Sequence, residues 1–74
     1  MAEHNHEARA ARHAQSARTH DAAAARHEEA VAFWIEKGDD REAEFERRNA
    51  RIERDAAQLE RDRAAFEAEK ARNE

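Results

Sequence analysis

Histidines are the residues of this chain whose type and spacing could do chemistry. His6, His13, His20 and His27 follow one another at intervals of seven residues, and Trp34 continues the series. An imidazole can change its charge near pH 6.5, bind a transition metal, or fill a moderately polar seam between helices. The spacing alone leaves all three interpretations open.

Metal binding would need ligands from more than one helix. Successive imidazoles of this series lie about 10 Å apart along a helix, too far to share one ion. The N-terminus offers a second candidate, since removal of Met1 would leave Ala2-Glu3-His4. This segment resembles the amino-terminal copper–nickel motif, in which a free amine, amide nitrogens and a third-position imidazole form a square-planar set, with His6 nearby as an extra ligand. The candidate ions are Cu(II), Ni(II) and Zn(II), and the candidate metal ligands are His4, His6, His13, His20 and His27.

The apolar residues repeat with the same period, which is typical of helices that pack along a seam. In the first half the repeat consists of Ala10, Ala17, Ala24 and Val31. In the second half it consists of Phe45, Ile52, Leu59 and Phe66. The chain has no proline and one glycine, so nothing else interrupts a helix. An all-α fold follows.

Between the two halves, residues typical of the end of one helix are followed directly by residues typical of the start of another. Gly38 suits the left-handed position after a helix C-terminus, and Lys37 suits the last helical turn. Asp39 followed by Glu42 is a capping-box pattern that begins a new helix. We therefore expect a two-helix antiparallel hairpin with its turn at Gly38. It forms a single domain over 1–74, with helix 1 at about 6–37 and helix 2 at about 40–72.

Two stripes of helix 2 compete to face helix 1. If the large apolar residues face inward, paired residues have numbers that sum to 76, so that Val31 meets Phe45 and Ala10 meets Phe66. In nearly every layer of this register, a small side chain of helix 1 then faces a large side chain of helix 2. The second stripe lies on nearly the opposite face, and we interpret it as a solvated face rich in helix formers. It consists of Ala43, Ala50, Ala57, Ala64 and Ala71.

The same register predicts the surroundings of the histidines. It places His27 opposite Asn49 and His20 opposite Ala56. It also places His13 opposite Arg63 and His6 opposite Lys70. Protonation beside these cations would be unfavourable, so a pH switch would lose helix or oligomer between about pH 7 and 5.

Composition excludes several classes of function. The chain has no cysteine, no glycine-rich phosphate loop, and no triad context around Ser16 or Thr19, so we expect no enzyme. The net charge of −4 leaves no basic excess for binding nucleic acid. The first thirty residues contain no apolar run, which argues against a signal peptide or a membrane span and favours the cytoplasm.

Self-association is the function that the sequence favours. Large apolar residues are too few to stabilise a lone hairpin of this size, so a second copy or another helical protein should complete the core. We expect a small interaction or scaffolding protein that forms a four-helix bundle or coiled coil. A metal-binding protein is the alternative. The expected interface residues are Val31, Phe33, Trp34, Ile35, Phe45, Ile52, Leu59 and Phe66.

Overall fold

The computed structural model describes residues 5–73, and two long helices make up nearly all of them. Helix α1 spans His6–Glu36 and helix α2 spans Asp40–Asn73. They lie side by side and antiparallel in a rod 56 Å long and 14 by 13 Å across. The Asn5 side chain begins α1 by accepting a hydrogen bond from the N–H of Ala8 at 3.1 Å. The prediction of an all-α helical hairpin is confirmed.

The turn is built as the sequence predicts. Gly38 has a φ of 79°, in the left-handed region that favours glycine. The N–H groups of Gly38 and Asp39 donate to the carbonyl oxygens of Ile35 and Trp34 at 3.0 and 2.9 Å. This pair of bonds satisfies the last carbonyls of α1 in the manner of a Schellman motif. The Asp39 carboxylate then begins α2 by accepting from the N–H of Glu42 at 3.0 Å.

Alanine forms the seam between the two helices. Ala17 and Ala24 of α1 and Ala43, Ala50 and Ala57 of α2 are between 0 and 5% exposed. We call these five residues the alanine seam. The interpretation of the second alanine stripe as a solvated face is therefore wrong. A methyl side chain lets two helix backbones approach closely, which brings longer polar side chains on both flanks of the seam within hydrogen-bonding distance of each other.

The large apolar residues of α2 lie on the opposite face from the alanine seam. Phe45 is 47% exposed, Leu59 52%, Phe66 57% and Ile52 63%. The predicted layers of small against large residues across the hairpin are therefore also wrong. Successive positions on a helix turn by about 100°, so Leu59 lies about 200° around α2 from Ala57. We call Phe45, Ile52, Leu59 and Phe66 the outer stripe.

Candidate functional site

Each of the heptad-spaced histidines meets a glutamate of the other helix. The distances from Nδ1 to the nearer carboxylate oxygen are 2.5 Å for His6–Glu67, 3.0 Å for His13–Glu60, 2.9 Å for His20–Glu53 and 2.7 Å for His27–Glu46. We call these four pairs the histidine–glutamate ladder. The numbers in each pair sum to 73 rather than 76. The predicted neighbours of the histidines, namely Asn49, Ala56, Arg63 and Lys70, are therefore wrong.

The ladder is partly shielded from water. The glutamate side chains are 13 to 25% exposed and the histidine side chains 14 to 34%. In each pair Nδ1–H donates and the carboxylate accepts, an arrangement open to both the neutral and the protonated imidazole. Protonation therefore adds a charge next to a carboxylate, which is the reverse of the electrostatics that the predicted register implied.

Two glutamates of the ladder show the effect of their partners. The hydrogen bond from His13 lowers the pKa of Glu60 below its usual value, against the opposing effect of burial. The hydrogen bond from His6 lowers the pKa of Glu67 in the same way. Arg63 and Lys70 do approach the ladder, but from the side of the glutamates. Their nitrogens lie 3.5 Å from Glu60 and 3.8 Å from Glu67.

Arginines close the other flank of the alanine seam. Arg54 donates to Asp21 at 3.0 Å and to Glu28 at 2.8 Å, and Arg61 donates to Asp21 at 2.8 Å. Burial opposes ionisation of Asp21, but the hydrogen bonds from the two arginines outweigh it and lower the pKa of that carboxyl. The hydrogen bonds that Arg54 donates to Glu28 and Asp21 raise the pKa of its guanidinium group. The seam is thus flanked by polar pairs on both sides.

The geometry offers few ligands to a metal ion. Within residues 5–73, no three side chains of histidine, cysteine, aspartate or glutamate come together in a group that could hold one. Each rung of the ladder supplies one imidazole and one carboxylate. His4 and the amino-terminal motif lie outside the described residues. Metal binding by the histidines therefore stays a prediction.

The outer stripe is a line of exposed apolar side chains, spaced about 10 Å apart, in a strongly charged surface. It runs for about 32 Å along α2, since it spans three intervals of seven residues. Cations border its two ends, where Arg48 lies 5.7 Å from the centre of the Phe45 ring and Lys70 lies 4.2 Å from the centre of the Phe66 ring. Several large exposed apolar side chains along one face of a helix are typical of an interaction site.

A second exposed apolar patch lies at the turn end of the hairpin. Phe33 and Ile35 are 51% and 49% exposed, whereas Val31 and Trp34 are half-buried. The Phe33 and Trp34 rings meet edge to face at 5.0 Å. The structure thus places the eight predicted interface residues in two groups, the outer stripe and this tip.

The glutamates of the ladder were missed by the sequence analysis, although a signal for them exists. Glu46, Glu53, Glu60 and Glu67 repeat every seven residues, in step with the four histidines.

No helix within the described part of the chain is both long enough and apolar enough to span a membrane. In comparisons with known proteins, no family model, curated protein or solved structure matches this chain.

Proposed function

We propose that this protein is a non-catalytic helical interaction module that self-associates through the outer stripe. One observation carries the proposal. The hairpin closes its own seam with alanines, while its large apolar residues on α2 remain 47 to 63% exposed on the far side. A helix that is apolar on two opposite lines has one line for its hairpin partner and one for a further helix.

The size of the outer stripe supports this proposal. A buried aromatic side chain covers about 150–250 Å², so four large side chains that are half exposed leave on the order of 400 Å² of apolar surface. Two such faces supply on the order of 800 Å² before the stems of neighbouring side chains are added, against about 1,200 Å² for a small stable interface. The stems of Arg48, Arg63 and Lys70 border the stripe and can supply the difference.

The chemistry of the described side chains supports a non-catalytic role. The four histidines of the described residues are engaged in the ladder, and the Thr19 hydroxyl donates to the Gln15 carbonyl oxygen at 3.2 Å, as in an ordinary helix. The chain has no cysteine that could act as a nucleophile. The histidines of the ladder serve the contact between the two helices, and the Thr19 hydroxyl bonds within its own helix.

Replacement of Leu59 by aspartate tests the proposal. L59D places a charge in the middle of the outer stripe, so the oligomer should dissociate. If the substitution costs about 3 kcal/mol of association free energy, the apparent dissociation constant should rise at least a hundredfold. The matched control is Q58E, which adds the same charge one residue away and off the stripe. Light scattering coupled to size-exclusion chromatography measures the mass, and circular dichroism at 222 nm measures the helix content.

The two variants separate the possible results. The proposal predicts that L59D is a helical monomer and that Q58E keeps the mass of the unmutated protein. Equal masses for all three proteins would show that the outer stripe is not an association surface.

A further inference from the structure

The outer stripe has an order of residues that reads alike in both directions. Along α2 it runs aromatic, aliphatic, aliphatic, aromatic, as Phe45, Ile52, Leu59 and Phe66. We infer that its occupant is helix α2 of a second copy, packed antiparallel about a two-fold axis near Ala56. This inference rests on the proposed function and specifies its partner and its direction.

The antiparallel register matches side chains layer by layer. Phe45 meets the partner's Phe66, and Ile52 meets the partner's Leu59, so every layer pairs side chains of similar kind. Ala56 is half-buried and lies beside the stripe, one turn before Leu59. It lies next to the two-fold axis, which falls between residues 55 and 56, and there it approaches the partner's Ala56. A small residue at the crossing point lets the two helices approach closely enough for the flanking layers to pack.

Charge complementarity selects this direction. In the antiparallel register Glu42 lies opposite the partner's Lys70, and Arg48 lies opposite the partner's Asp62. Two-fold symmetry makes each of these pairs occur twice. Unfavourable contacts remain near the axis, where Asp55 faces the partner's Asp55, and on the flank that carries the glutamates of the ladder. Exposed ion pairs add little affinity, but the arrangement of charges fixes the register and orientation of a complex.

A parallel, in-register dimer would place like charges together. Glu42, Arg63 and Lys70 would each face the same residue of the partner subunit, which gives repulsion in three layers that border the stripe. The antiparallel register removes all three contacts. It therefore fits the charges of α2 better than the parallel one.

The remaining flank of the interface carries the glutamates of the ladder. The antiparallel register brings Glu53 towards the partner's Glu60, and Glu46 towards the partner's Glu67. All four carboxylates are turned towards α1, where the histidines of the ladder hold them, and their side chains are only 13 to 25% exposed. The ladder thus draws these charges away from the second copy. In the resulting assembly the two α2 helices lie in the centre and the two α1 helices outside.

Chemical cross-linking of introduced cysteines tests the direction, because the natural chain has none. The variants are E42C, K70C and A56C, treated with a short bismaleimide, with one chain isotope-labelled in mixtures. In the antiparallel register the E42C thiol lies next to the K70C thiol of the other chain. Two E42C thiols lie about 40 Å apart, beyond the reach of the reagent. The mixture should therefore give at least about tenfold more cross-linked dimer than E42C alone, with K70C alone as unreactive as E42C.

A56C distinguishes failure of the inference from failure of the proposed function. It lies at the centre of either register and should cross-link in a dimer of either direction. If A56C cross-links but E42C joins to itself, or the mixture does not react, self-association stands and the antiparallel arrangement is overturned. If A56C does not cross-link and the protein sediments as a monomer, the proposed function fails together with the inference.

Discussion

Two lines of residues on α2 carry the same period and have opposite surroundings. Ala43, Ala50 and Ala57 are at most 5% exposed, whereas every member of the outer stripe is at least 47% exposed. Side-chain size does not decide which line is buried within the hairpin. The alanine seam is buried because it lets the two helices approach closely enough for polar pairs to form on both of its flanks. The larger side chains of the outer stripe remain available to a second molecule.

A leucine in the alanine seam should have the largest effect on the hairpin. In A57L the added carbons have no space at a fully buried position, so the helices must separate and the flanking pairs weaken. Overpacking of this kind costs about 1–3 kcal/mol. The matched control is A65L, because Ala65 lies exposed on the same helix. Urea unfolding of both variants, followed by circular dichroism, measures the difference. Equal stabilities would mean that the alanine line is not the seam.

The glycine of the turn should have the next largest effect on the stability of the hairpin. A Cβ added at Gly38 would meet nothing within 4 Å, so the cost of G38A is confined to the backbone. An L-residue in the left-handed region costs about 1–2 kcal/mol. G38N should cost less, because asparagine tolerates this conformation better than alanine does. Thermal unfolding should therefore rank the unmutated protein first, then G38N, then G38A, and the reverse order for the two variants would contradict the turn geometry.

The ladder makes the hairpin sensitive to acid at a particular range of pH. The pKa values of Glu60 and Glu67 lie below the ordinary value of 4.5 in the folded protein. Their contribution to stability is therefore present above pH 4.5 and is lost as the pH falls through the lowered values. The imidazoles of the ladder face carboxylates, not the cations that the predicted register placed beside them. The geometry therefore gives no support to the predicted loss of helix between about pH 7 and 5.

Removal of one carboxylate tests this smaller effect. The variant E60Q keeps an acceptor for His13 but cannot ionise, so its loss of stability between pH 4.5 and 3 should be shallower than that of the unmutated protein. Glu29 is exposed on α1 and provides the control E29Q. Melting temperatures across pH 3 to 7 measure the slopes. Identical slopes for E60Q and the unmutated protein would contradict a role of the ladder in stability.

The sequence was sufficient to predict the hairpin but not its register. Gly38, Asp39 and Glu42 mark the turn by local backbone chemistry, which acts over a few residues and is readable from the sequence. The choice between two stripes of equal period depends on how closely the helices approach. That distance is set jointly by many side chains. Placing the largest apolar residues inside led to a register that differs by three residues from the observed one.

The partners of the histidines could have been found from a pattern that was present. Glutamates repeat in phase with the histidines, and only one register of an antiparallel hairpin pairs all four members of the two series. The four rungs therefore define the register more sharply than the apolar residues do. In that register the outer stripe faces away from α1, which explains why its side chains are exposed.

Sedimentation equilibrium tests the central claim most directly, namely that the alanine seam closes the hairpin and the outer stripe joins two copies. The proteins compared are the unmutated chain, of 8.6 kDa, and a variant with glutamine at all four positions of the outer stripe. Glutamine preserves helix propensity. The account predicts a dimer for the unmutated chain. It predicts a monomer for the variant, helical at 5 °C, with a melting temperature that is lower and independent of concentration. A monomeric unmutated chain, or a variant that still dimerises, would contradict it.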